Sequence, residues 1–87
     1  MKEIKEIDPY SYEVISMTGR RFRLSFVDYI LSDGKYYSCS CEEFARFGET
    51  ETWIFSKQFS QPSEKTVHET LARVVALIDA ECGKGAP

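Results

Sequence analysis

The chain of 87 residues has little of what usually marks a known chemistry. It holds one histidine, one tryptophan, three cysteines and three prolines. Its longest unbroken apolar run is the five residues Val74–Ile78, against roughly 20 for a membrane-spanning helix. Met1-Lys2-Glu3-Ile4-Lys5-Glu6 carries no apolar signal core, so a cytoplasmic protein with no membrane partner is expected. An odd cysteine count argues against a closed disulfide framework. No phosphate-cradling glycine loop, nucleophile motif or carboxylate pair of recognisable spacing is present. A lone histidine such as His68 brings no partner with which to act as a base. No enzymatic activity is expected.

Positive charge is also short. The net charge is −3, which excludes a broad basic footprint for duplex nucleic acid. The imbalance is local. Residues 42–56 hold four glutamates, Glu42, Glu43, Glu49 and Glu51, against the single Arg46.

Aromatics are plentiful. Six Phe, five Tyr and one Trp help a chain this short to build a core, since each ring brings much apolar area. No repeat, low-complexity tract or linker interrupts residues 10–82. They read as one domain, with residues 1–9 as an N-terminal arm or edge strand and residues 83–87 as a disordered tail.

Period-two alternation over Tyr12–Met17 predicts a strand, and Thr18-Gly19 a tight turn. Arg20–Leu31 predicts a longer strand, with Phe22, Leu24 and Phe26 on one face and Arg21, Arg23 and Ser25 on the other. Asp33-Gly34 predicts a hairpin in which both central residues take positive φ, followed by a third strand over Lys35–Cys39. Ser40-Cys41-Glu42-Glu43 matches a capping box, and Gly48 falls where a helix C′ glycine belongs, so a short helix is expected over Cys41–Phe47. Thr50–Phe59 predicts a fourth strand with Trp53 and Phe55 on one face. Helical spacing of Val67, Leu71, Val74, Val75 and Ile78 predicts a C-terminal helix started by Ser63 or Thr66. The expected fold is α+β: a four-stranded, mainly antiparallel sheet in the order β-β-β-α-β-α, with the long C-terminal helix on one face.

Three readings of function follow. A small acidic domain with Trp53 on a strand suits a non-enzymatic protein-interaction module. Its expected surface is Trp53 with Glu42, Glu43, Glu49 and Glu51, facing a partner with a basic surface or pairing at a strand edge into a homodimer. Size and charge alone suggest an accessory or inhibitory protein of the kind phages and mobile elements encode. The alternative is a single-stranded nucleic-acid binder, in which Arg20, Arg21 and Arg23 meet phosphates while Tyr36 and Tyr37 stack on bases.

The third reading starts from Cys39-Ser40-Cys41. With Phe44 and Gly48, this run resembles the first half of a SWIM zinc finger, whose second, Cys-x-His half has no counterpart here. The resemblance implies a degenerate module that binds nucleic acid or protein. A zinc site in this chain has Cys39, Cys41, His68 and Cys82 as its candidate ligands. Otherwise no cofactor is expected, with Cys39 read as a small buried hydrophobe on its strand and Cys41 at the start of the expected helix.

Overall fold

A computed structural model describes residues 1–83. The chain runs through β1 (Glu3–Asp8), β2 (Ser11–Ile15), β3 (Arg21–Leu31), β4 (Gly34–Phe47), β5 (Thr50–Phe55), β6 (Ser63–Glu64) and α1 (Val67–Gly83). The first five strands form an antiparallel meander in chain order, and β6 adds to β4 beside β5. Among the described residues no helix is long and apolar enough to cross a membrane. Of the expected tail, Gly83 closes α1, and residues 84–87 lie outside the described residues.

The expected four-stranded sheet in β-β-β-α-β-α order is therefore corrected. The helix expected over Cys41–Phe47 is the second half of a 14-residue strand. The capping-box pattern is a local preference worth about 0.5–2 kcal/mol. Here it competes with a segment paired on both sides. Phe22↔Glu43 and Leu24↔Cys41 join it to β3, and Glu43↔Ile54 through Phe47↔Thr50 join it to β5. Each cross-strand pair contributes and the ladder extends them cooperatively, so the non-local pairing prevails.

The turns differ in part from expectation, and among the described residues no residue other than glycine, Asp33 included, takes positive φ. Ser32-Asp33 forms the loop between β3 and β4, and Gly34 there takes positive φ, at 137°. Gly48 takes φ 64° in the Gly48-Glu49 loop that folds β5 back on β4. It serves a hairpin, where a left-handed residue suits the strand twist, and not a helix end.

One face of the sheet is covered. Tyr12 and Val14 of β2, Phe22, Leu24 and Phe26 of β3, and Cys39 and Cys41 of β4 are buried against Val74, Ile78 and Cys82 of α1. The connection after β5 folds under this face. It buries Phe59 edge-on to Phe22, with centroids 5.5 Å apart. The Ser60 hydroxyl accepts from the Cys41 amide at 2.8 Å and donates to the Ser56 carbonyl at 2.5 Å, closing the β4–β5 ladder with a side chain. Thr66 caps α1: its Oγ1 accepts from the Glu69 amide at 3.0 Å. Thr70 is fully buried yet satisfied, accepting from the Glu64 amide and lying 3.0 Å from the Tyr37 carbonyl.

β3 outruns β2. The last β2–β3 pair is Ser11↔Ser25, while β3 and β4 stay paired out to Leu31↔Gly34. The end of this hairpin projects as an arm exposing Val27, Tyr29, Ile30 and Leu31.

Candidate functional site

Strand alternation decides which side chains share the face opposite α1. Register places Glu13, Arg23, Glu42 and Phe55 in one row across β2 to β5, and Ile15 and Arg21 in the next, with Phe44 and Trp53 continuing it. Two arginines reach across this open face. The Arg21 guanidinium lies 4.8 Å from the Phe44 ring centre and 5.9 Å from that of Trp53. The Arg23 guanidinium lies 4.2 Å from the Trp53 centre. Phe44 and Trp53 meet edge to face at 5.5 Å. The cluster is thus two rings with two cations laid over them, a cation–π arrangement. Arg21 also lies 3.8 Å from Glu13.

The third arginine belongs elsewhere. Arg20 lies on the helix side, where it donates two hydrogen bonds of 2.7 Å to the Glu43 carboxylate and one of 3.6 Å to the Cys82 sulfur. This fork ties the β2–β3 turn to β4 and to the end of α1, and the carboxylate holds the guanidinium pKa even higher than usual. Tyr36 and Tyr37 point to opposite faces. Tyr36 stacks on Tyr29 at 5.9 Å on the arm, and Tyr37 on Tyr10 at 6.4 Å. Tyr36 lies six residues along β4 from Glu42, the partner of Arg23, which is about 20 Å. The expected arginine–tyrosine platform is therefore not assembled.

The acidic group is likewise divided. Glu43 belongs to Arg20. Glu51 bonds to Arg46. Glu42 stands opposite Arg23 in the ladder, and Glu49 lies in the turn. What remains of the expected interaction surface is Trp53 with Glu42 and Glu51 on the open face, joined by Phe44 and Phe55, whose position sequence reading did not connect with the arginines. Phe44 belongs to the finger resemblance in the sequence, and the helix expected there separates it from Trp53. Read as a strand, β4 would have shown Phe44 next to Trp53.

Cys39 and Cys41 point into the core. Burial pushes each thiol up to about 12. His68 and Cys82 stand 14 positions apart on α1, about 21 Å along a helix. One ion with bonds of about 2.0–2.3 Å does not bridge them, so Cys39, Cys41, His68 and Cys82 do not fit a single zinc. Among the described residues no three His, Cys, Asp or Glu side chains gather as ligands.

The sheet ends differ in kind. Among the described residues, β1 forms one edge of the sheet and β5 the other, where the two-residue β6 lies beside it along β4. β1 exposes Glu3, Lys5, Glu6 and Asp8 beside the apolar Ile4 and Ile7, and carries a register irregularity between Glu6 and Asp8; charges and bulges are the usual guards of an edge. β5 has Glu51 as its one charge. It leaves Ile54 45% and Phe55 60% exposed, with Phe47 62% exposed on the neighbouring strand. Comparison with known proteins finds no matching family model, no matching curated protein and no matching solved structure. The functional reading therefore rests on these surfaces.

Proposed function

We propose that this chain is a cytoplasmic, non-enzymatic protein-interaction module that docks its partner along β5. The observation that carries this reading is the contrast between the two sheet edges. β1 is guarded by charge and irregularity, whereas β5 offers a regular, aromatic-bearing edge of six residues. An open edge binds by adding a strand, and aromatic residues beside it supply the anchoring contacts. Trp53 is half-buried and held by Arg23, so it is preorganised, and Phe55 stands free beside it. The cation–π contacts also weigh against a nucleic-acid platform. The guanidinium groups already lie against the rings on which bases would stack, in a chain of net charge −3.

A photo-reactive phenylalanine analogue at position 55 tests this in living cells, with the same analogue at Ile4 of β1 as control. Cross-links to protein at position 55, well above those at position 4, are expected. Equal yields at the two positions, or adducts to nucleic acid alone, overturn the reading.

A further inference from the structure

The exposed edge of β5 has a polarity that can be worked out. The Ser56 amide donates to the Cys41 carbonyl at 2.7 Å. Antiparallel ladders alternate inward and outward backbone groups. Thr50, Thr52 and Ile54 therefore bond to β4, and the N–H and C=O groups of Glu51, Trp53 and Phe55 face outward.

We propose that a second copy of this chain occupies this edge, through antiparallel pairing of the two β5 strands centred on Thr52. This rests on the reading of β5 as the docking edge and names its occupant. A two-fold axis perpendicular to the sheet makes the strands antiparallel and keeps each face on its own side. Opposed residues must then lie on the same face: centring on Thr52 or Trp53 pairs five of the six residues of β5, and centring on Ile54 or Glu51 only three, the latter with Glu51 against itself.

Charge chooses among them. The one charge on β5 is Glu51, and the cations of the open face lie over Trp53. Centring on Thr52 makes Glu51 and the partner's Trp53 a hydrogen-bonded pair, twice over by symmetry. Each Glu51 then stands beside the Arg23 that covers the opposing Trp53 ring, while keeping its own Arg46. Centring on Trp53 instead drives the two arginine-covered rings, and their like charges, together. Centring on Ile54 leaves Glu51 without a partner strand.

The helix side agrees with this register. Ala45 is opposite Thr52 in the β4–β5 ladder, so small residues line the centre of the seam. Phe47 is opposite Thr50, and Thr50 then faces the partner's Ile54. Two exposed apolar side chains fall in one row.

The seam, five residues a side over Thr50–Ile54, is small beside the roughly 800 Å² per partner of a standard interface, and a dimer in the micromolar range is expected. Sedimentation velocity on the purified chain, from about 1 to 500 μM, reads it directly. The wild type is expected to shift from monomer to dimer over this range, at lower concentration in low salt. Glu51→Pro removes an outward N–H and the carboxylate without taking a bond from β4. It should melt as a folded protein and weaken dimerisation at least tenfold. Arg23→Glu and Glu51→Arg should each weaken the dimer, and their combination should restore it to within about threefold. A wild type that stays monomeric throughout overturns the proposal. So does a dimer indifferent to Glu51→Pro, or a charge exchange that fails to restore. A monomeric chain that still cross-links to another protein through position 55 overturns the second copy while the docking edge stands.

Discussion

Arg23 and Trp53 sit two strands apart, and the guanidinium crosses β4 to lie 4.2 Å from the Trp53 ring centre. This contact links the middle of the sheet to the edge that carries the proposed interface. A double-mutant cycle with Arg23→Ala and Trp53→Phe, read by urea denaturation, is expected to give a coupling of about 0.5–1 kcal/mol. Zero coupling means that the arginine does not hold the ring. Trp53 is the one tryptophan, so its fluorescence should also change in Arg23→Ala without loss of fold.

The buried thiols predict how stability depends on pH. Cys39 and Cys41 rise from 9.0 to about 12 on burial. Below pH 9 both are protonated in the folded and unfolded chain, and pH has no effect through them. Between about 9 and 12 the unfolded chain gives up these protons and the folded chain keeps them. Fewer protons bound in the unfolded state means that stability falls with rising pH, by up to about 1.4 kcal/mol per pH unit for each thiol. Urea titrations from pH 8 to 11 should show this loss, and Cys39→Ala with Cys41→Ala should flatten it. A slope unchanged in the double variant refutes the assignment.

Ser40 separates the two readings of its segment. As a helix N-cap, Ser40→Ala would cost about 0.5–2 kcal/mol. As an exposed strand residue it should cost under about 0.5 kcal/mol. Gly48→Ala, at φ 64° in the following turn, should cost about 1–2 kcal/mol, because the left-handed conformation disfavours a Cβ. Chemical denaturation of the two variants measures both.

Phe59 lies outside regular structure yet is 1% exposed, packed under the sheet against Phe22. Truncation to alanine removes a ring from a site with little room to collapse, and a loss of about 3–5 kcal/mol is expected. A loss below about 1 kcal/mol would mean that the connection after β5 is not part of the core.

Much of the sheet could be read locally. The alternation of Phe22, Leu24 and Phe26 against Arg21, Arg23 and Ser25 matches the buried and open faces of β3, and the periodic stripe of α1 meets the core through Val74 and Ile78. The second half of β4 could not be read in this way. Cys41 to Phe47 carries helix-start chemistry at its front and a glycine at its end, and its strand state comes from partners 17 or more positions away in β3 and from a hairpin that only Gly48 announces. The candidate site suffered with it. Phe44 and Trp53 touch because β4 continues as a strand, and a helix there hides the pair.

The sequence by itself determined a small, mainly antiparallel domain rich in aromatic side chains, with a C-terminal helix closing one face and a net charge of −3. Hydrophobic period and net charge are properties of a segment and need no partner. Tertiary structure alone decided the rest: that Arg20 turns to Glu43 while Arg21 and Arg23 cover Phe44 and Trp53, and that β5 lies at the end of the strand order. Those outcomes depend on strand register and order, which long-range pairing sets and no local preference encodes.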